Sequence, residues 1–469
     1  MFFMTATPTS TNVGNTGAVL LVASAAALGG FLFGYDTAVI NGTVDALKED
    51  FNLNSGVLGF VVSSALLGSA VGAWYAGPLA DRHGRLKVMV IAAIIFIIGS
   101  IGSGLAVGPI DLTAWRILGG LAVGAASVIA PAYIAEISPA EIRGRLGSLQ
   151  QLAIVSGIFA SQLINYAIAR SAGGASNPVP WGGDAWRWMF IVEALPAVAY
   201  LICALQIPES PRYLVRRGRL DEARKVLDRV VGGDTEQHVR EIQQSLRGVK
   251  EKVELRDLRG PRFGLLPIVW VGILLSVFQQ FVGINVIFYY STTLWQAVGF
   301  TEDNSFLISV ITSVTNVLTT LVAIALVDKI GRKPLLLIGA AGMVLTLGTM
   351  AWAFSTATTV GDTVTLSPTI GKIALVAANL YVVSFGMSWG PVVWVLLGEM
   401  FSNKIRVTAL AVAAAAQWIA NWLVSSTFPA LSDAGLGVAY LVYTTFAALA
   451  FIFVLRAVRE TKGRELESM

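Results

Sequence analysis

The sequence has one cysteine, Cys203, in 469 residues, and only two histidines, His83 and His238, both in charged segments. A single thiol excludes an intramolecular disulfide, so nothing in the fold depends on an oxidising compartment. Two separated histidines leave no ligand cluster for a metal. Charge is scarce too: Asp, Glu, Lys and Arg make up 13% of the chain, against about 25% in soluble domains. No GxxxxGK[ST] phosphate loop or HExxH zinc motif occurs, which removes ATP-driven transport and zinc hydrolase chemistry. The polar residues embedded in apolar sequence are mostly carboxamides. Neither an enzyme nor a cofactor is expected.

What fills the chain is apolar, with 55% hydrophobic residues and a mean hydropathy of +0.70. A helix of about 20 residues crosses a 30 Å hydrocarbon core. Twelve runs, near 17–40, 56–80, 87–107, 112–136, 146–169, 187–207, 263–295, 305–327, 334–355, 371–400, 406–430 and 436–457, read as such spans. The 47 glycines let these helices approach one another closely. The segment from Met1 to Gly17 has no basic n-region and leads into a span too long for a signal peptide, so processing is not expected. The fold class expected is an all-α membrane protein of twelve transmembrane helices.

An even number of spans puts both termini on one face. Lys48, Arg170, Arg187 and Lys372 fall on one set of loops, Arg116 lies inside a span, and the other 28 of the 33 basic residues face the opposite side. By the positive-inside rule that basic face, with both termini, is cytoplasmic in a multi-pass protein of the cell membrane. Membrane topology accounts for the basic loops better than nucleic acid does. Lipid is the surrounding partner, and the monomer is the expected working unit.

The widest polar gap, 209–262, contains fourteen Lys or Arg. Within it Leu220, Ala223, Val226, Leu227 and Val230 recur at helical spacing, which predicts short amphipathic helices on the basic face. The chain divides there into an N-terminal six-helix bundle (1–208), a helical linker (209–262) and a C-terminal six-helix bundle with its tail (263–469). The division exposes a repeat. Asp81-Arg82-His83-Gly84-Arg85 after the second span is echoed by Asp328-Lys329-Ile330-Gly331-Arg332 after the eighth. Glu136 and Arg143, seven apart, are echoed by Glu399 and Arg406, and Pro208-Glu209-Ser210 more loosely by Arg459-Glu460-Thr461. Ordered matches of this kind mark two parallel repeats about an axis along the membrane normal, as in alternating-access transporters.

Buried carboxamides are costly without partners, so a cluster of them within apolar spans calls for a wet cavity or a ligand. Gln151, Gln279, Gln280, Asn285, Asn316, Gln417 and Asn421 form such a set, with Trp394 and Trp418 nearby in sequence. Neutral amides and indoles suit the hydroxyls and C–H face of a sugar. Gln417 and Asn421, four apart, share a helix face. Gly283 relaxes the helix between Gln280 and Asn285. Asp36 stands in an otherwise uncharged first span and needs a partner, for which Arg116 in the fourth span is the natural choice and Glu193 in the sixth a second candidate for the coupling site. A static structural ion pair is the alternative. On the basic face Asp81 and Asp328 can cap the helices that follow. Arg85, Arg332, Arg143 and Arg406 can pair with Glu136, Glu399, Glu209 and Glu460 across the two halves when that face is closed.

Gly77-Pro78-Leu79-Ala80-Asp81-Arg82-His83-Gly84-Arg85, Arg143-Gly144-Arg145, Pro208-Glu209-Ser210-Pro211-Arg212, Gln279-Gln280-Phe281-Val282-Gly283-Ile284-Asn285 and Asp328-Lys329-Ile330-Gly331-Arg332 resemble, in this order, the sugar porter branch of the major facilitator superfamily. Within it the chain looks most like the bacterial proton-coupled hexose permeases, over essentially its whole length. One departure is Arg459, where the family's PETKG has proline. The resemblance implies proton symport of a monosaccharide, D-glucose first. A facilitative hexose carrier and a polyol, inositol or pentose symporter are the alternatives. It implies that Gln151, Gln279, Gln280, Asn285, Asn316, Trp394, Gln417 and Asn421 line the sugar cavity, with Phe33 as an apolar wall. Asp36 takes the proton-coupling role. Tyr289 and Tyr290 resemble the family's aromatic outer gate, with an interfacial aromatic belt as the alternative. Ile158 stands where xylose-type symporters carry Gln, and Phe288 follows Asn285 by three; an apolar residue and a large ring suit a hexose better than a pentose.

Overall fold

The computed structural model describes residues 16–138, 143–230, 234–248, 258–261, 263–360, 363–401 and 405–461. Among them twelve segments are long and apolar enough to cross a membrane: Gly17–Gly42, Ser55–His83, Arg85–Gly104, Pro109–Ile137, Leu149–Ala172, Ala185–Gln206, Pro267–Tyr289, Glu302–Leu326, Arg332–Ser355, Pro368–Met400, Thr408–Ala434 and Leu436–Ala457, here spans one to twelve. All are helical, the form in which a chain in hydrocarbon satisfies its backbone polar groups within one segment. The spans lie within a few residues of the apolar runs.

Helix pairing repeats between the halves. In the first, span one packs on five, two on four and three on six; in the second, seven packs on eleven, eight on ten and nine on twelve. The two six-helix bundles meet along two seams, span two against eleven and span five against eight. Glycine makes the close approaches: any side chain at Gly59 would enter the Ser426 carbonyl across the halves, and one at Gly34 would enter the Ile154 carbonyl within the first.

Three spans are broken. In span seven the helix Pro267–Phe281 stops at Gly283, whose φ of +83° suits a residue without Cβ, and resumes as Ile284–Tyr289, as the glycine predicted. A separate helix, Ser291–Gln296, follows instead of a continuous run to 295. Span six breaks at Glu193, between Ala185–Val192 and Ala194–Gln206, and span ten at 387–388, between Pro368–Gly386 and Trp389–Met400. Hydropathy does not signal these two. The loop between spans nine and ten holds a two-stranded hairpin, Thr358–Val360 against Thr363–Thr365, the one departure from an all-helical chain among the described residues. Its β-branched Thr and Val favour strand.

Three short helices follow span six: Pro211–Arg216, Leu220–Val230 and Thr235–Gly248. Ala223, Leu227 and Val230 are buried, and Leu214, Val215 and Val239 join Ala223 and Leu227 in a small core of their own. The group docks on the first half, through an Arg216–Asp81 ion pair at 2.8 Å and a bond from Arg217 to the Arg82 carbonyl.

Candidate functional site

The break in span seven turns its carboxamides inward and links them in series. Gln417 Nε2 donates to Gln279 Oε1 at 2.5 Å, Gln280 Nε2 to the same oxygen at 3.3 Å, and Asn285 Nδ2 to Gln280 Oε1 at 2.5 Å. Gln279 Nε2 in turn donates to the carbonyl of Trp389, the first residue of the helix after the break in span ten, at 2.8 Å. Asn421, on the same face as Gln417, donates to Tyr289 Oη at 3.3 Å. Gln417 Oε1 is buried without a hydrogen-bond partner. Asn316 of span eight is buried beside Gly386 of span ten. Gln151 is half-buried in span five, Ile158 is buried, and Trp394 is 44% exposed. Phe33 meets the half-buried Trp418 edge-on, ring centres 5.5 Å apart, so an aromatic wall bridges the two halves.

Tyr289 and Tyr290 are both buried, which removes the interfacial belt as their explanation. Tyr290 Oη donates to the Ser425 carbonyl at 2.7 Å and its ring lies 4.9 Å from Phe428, so this tyrosine is fixed inside the second half. The face opposite the basic one carries Asp45, Glu49, Asp50, Glu302 and Asp303 and is the acidic face; the bonds that join the halves on it centre on a residue sequence reasoning missed, Asn41 at the end of span one. Asn41 Oδ1 accepts from Thr292 N at 3.0 Å, its carbonyl accepts from Thr292 Oγ1 at 2.5 Å, and its Nδ2 donates to Gln162 Oε1 at 2.9 Å and Ser309 Oγ at 3.2 Å. Gln162 Nε2 donates to the carbonyl of Phe288 at 3.2 Å. Asn165 holds the Val39 carbonyl at 3.0 Å, where span one tightens into a 3-10 turn. Gln162 and Asn165 are carboxamides in the same apolar span as Gln151 and meet the same sequence criterion. Asn41, Thr292 and Ser309 look like ordinary span-end polar residues. The acidic face is closed.

Within the first half lies a charged cluster. Arg116 Nη1 is 2.6 Å from Asp36 Oδ1, with both side chains 4% exposed. The guanidinium also lies over the Phe190 ring at 5.5 Å. Glu193 is buried at the break in span six and interacts with Asp36, Arg116 and Ser100. Glu193 Oε1 and Arg116 Nε have no partner. Two carboxylates therefore lie around one cation.

On the basic face the repeat is reproduced atom for atom. Arg85 binds Glu136 through two bonds, 2.7 and 2.9 Å, and Arg332 binds Glu399 at 2.7 and 3.0 Å. Ser210 Oγ supports Glu136 and Thr461 Oγ1 supports Glu399, each at 2.5 Å. One expectation needs correcting. The helix caps are not supplied by Asp81: Glu209 accepts from Arg85 N and Leu86 N at 3.1 and 3.3 Å, and Glu460 from Arg332 N and Lys333 N at 3.1 and 3.0 Å, while Asp81 pairs with Arg85 at 3.1 Å and with Arg216. In this state the Arg85–Glu136 and Arg332–Glu399 pairs each lie within one half; pairing across the halves is the expectation for a closed basic face. The side chains of Arg143, Arg406 and Asp328 lie outside the described residues. Despite Arg459 in place of proline, Glu460 takes the same capping position as Glu209.

Gly386-Met387-Ser388-Trp389-Gly390 has the spacing of a hydrolase nucleophile turn, but Ser388 Oγ donates to the Ser384 carbonyl at 2.5 Å across the break in span ten, which is a helix-end bond and not an activated nucleophile. The family model described as "Sugar (and other) transporter" matches residues 22–469. The chain is 59% identical to a glucose transport protein of Synechocystis sp. over 98% of each chain, and 40% identical to a D-xylose-proton symporter of Escherichia coli over 97% of this chain and 96% of that one. It is also similar to a solved structure of the inward open conformation of the xylose transporter XylE from E. coli, with a TM-score of 0.83, 38% identity, and 96% and 98% of the two chains covered. Two pseudo-symmetric bundles enclosing this carboxamide cluster, matched over nearly their full length, place the chain in the sugar transporter family, the sugar porters of the major facilitator superfamily.

Proposed function

We propose that the protein imports a monosaccharide, D-glucose foremost, together with a proton, with the basic face cytoplasmic and the acidic face outside. The observation that carries the reading is the buried cluster of Asp36, Glu193 and Arg116, in which one proton cancels the excess of carboxylate over guanidinium. The protein names borne by its relatives, a glucose transport protein and a D-xylose-proton symporter, support it. So does the likeness to an inward open structure, since the acidic face is the closed one.

The chemistry divides between the halves. Gln279, Gln280, Asn285, Gln417 and Asn421 offer donors and acceptors matched to sugar hydroxyls, while Trp394 and Trp418 offer apolar faces to ring C–H groups. Span one connects the two sites. Phe33 touches Trp418, Asp36 holds Arg116, and Asn41 closes on Thr292 just beyond Asn285. Proton arrival on the cluster weakens the grip of Arg116 on span one, and sugar bound to span seven draws the same gate shut. One proton falling through 100 mV provides about 2.3 kcal/mol, enough for roughly 50-fold accumulation of a neutral sugar.

The test is uptake of radiolabelled glucose, xylose and inositol into proteoliposomes with and without an imposed proton gradient, for the parent and for Asp36→Asn. Gradient-driven accumulation of glucose in the parent, lost in the variant, is the expected result. Accumulation that ignores the gradient, or survives the substitution, makes the protein a facilitative carrier.

A further inference from the structure

A second carboxylate, half-buried, lies outside the cluster of span one. Asp45, in the helix Val44–Asp50 after span one, accepts from Gln296 Nε2 at 2.9 Å. Gln296 ends the helix Ser291–Gln296, so this bond joins the two halves on the closed acidic face. Every group around Asp45 is neutral, negative or exposed. From the second half come the amide of Gln296, the Thr293 hydroxyl, which has no other partner, and the Glu302 carboxylate. From its own helix comes Lys48, which is exposed. The preceding turn contributes only Asn41, already engaged with Thr292. Glu302 itself bridges the halves, accepting from Ala175 N at 2.8 Å. Gate closure therefore half-buries a carboxylate against a seam that supplies no cation among the described residues, and adds a second negative charge beside it.

We propose that Asp45 is a second proton site, on the outer gate, and that it takes up its proton as the gate closes. The proposal rests on the acidic face being the outer one. The protonated carboxyl still accepts from Gln296 through its carbonyl oxygen and turns its O–H toward Thr293, so the bond across the seam survives while the charge is lost.

The direction of the pH effect follows from where the carboxyl sits in each state. Burial, the largest influence, pushes the closed-gate carboxyl up to about 6; the Thr293 hydroxyl and Lys48 pull it down, and Glu302 pushes it up. With the gate open and the group in water the ordinary value is about 4. Protons thus bind the closed gate more tightly than the open one. Closure is favoured as pH falls from about 6 and levels off below about 4, by up to roughly 100-fold overall and about tenfold between pH 7 and pH 5.

The experiment places spin labels at Asn177→Cys and Asn304→Cys, exposed positions on the acidic face of the two halves, in the full-length protein with Cys203→Ser, and reads the distance distribution in nanodiscs at pH 7 and pH 5. It is done with Asp36 intact and as Asp36→Asn, so that any contribution of the span-one cluster is removed. The closed-to-open ratio rises about tenfold on acidification in both backgrounds. It stays high and indifferent to pH in Asp45→Asn. Gln296→Lys, which supplies a cation, holds the closed-gate carboxyl at or below its ordinary value, so the distribution no longer responds between pH 7 and pH 5. An unchanged distribution in the Asp36→Asn background, or a full pH response in Asp45→Asn, overturns the proposal. Because nanodiscs change pH on both faces, neither orientation nor symport enters this readout. Those are tested separately by the uptake measurements.

Discussion

The two halves share a fold and differ in what they bury. On the basic face they are near copies, each with an Arg bound twice by a Glu, a hydroxyl supporting that Glu, and a second Glu capping the next helix. At mid-depth they part company. The first half holds the charge, Asp36, Arg116 and Glu193, while the second holds the carboxamides of spans seven, eight and eleven. A shared scaffold that must close and open evenly keeps its end contacts matched. In the proposed function one half carries the proton and the other the sugar, so the interior need not match, and Gln151 joins the sugar side from the first half.

The largest effect expected on this division is in Asp36→Asn. The steady-state accumulation ratio at 100 mV falls from roughly 50 to about 1, while sugar affinity measured by calorimetry changes less than threefold. A comparable loss of affinity would merge the two sites into one. Next in size, Arg85→Ala and Arg332→Ala each leave a partly buried Glu unpaired and lower stability by about 3 kcal/mol, seen as a matched drop in thermal inactivation temperature in detergent. Unequal drops break the symmetry argument for the basic face. Gln280→Ala interrupts the amide series between Gln279 and Asn285 and weakens sugar binding by about tenfold, close to 1.4 kcal/mol, with proton-driven energetics unaltered. Unchanged affinity takes span seven out of the sugar site. The smallest effect is in Ile158→Gln, a single contact, which moves the glucose-to-xylose preference by about 1 kcal/mol toward the pentose in competition uptake.

Much of this was legible in the sequence because hydrocarbon enforces simple rules. Span positions followed from apolar runs, the break in span seven from Gly283, and the pairing of Asp36 with Arg116 from the cost of an isolated charge. The breaks at Glu193 and at 387–388 were not legible, since neither interrupts the hydropathy. Asp81 looked like the cap because it is near in sequence. The cap is Glu209, brought from 124 residues away by span six.

The linear order of residues therefore decided the solvent, the number of crossings, the repeat, and which polar side chains must find partners inside, because each of these depends on composition and spacing within one segment. It could not decide which partners they find. That Gln417 completes a relay begun on span seven, that Glu193 reaches the Asp36 pair, and that Asn41 and Asp45 fasten one half to the other are consequences of helices from separate parts of the chain meeting in three dimensions, where a hydrogen bond needs contact rather than proximity in sequence.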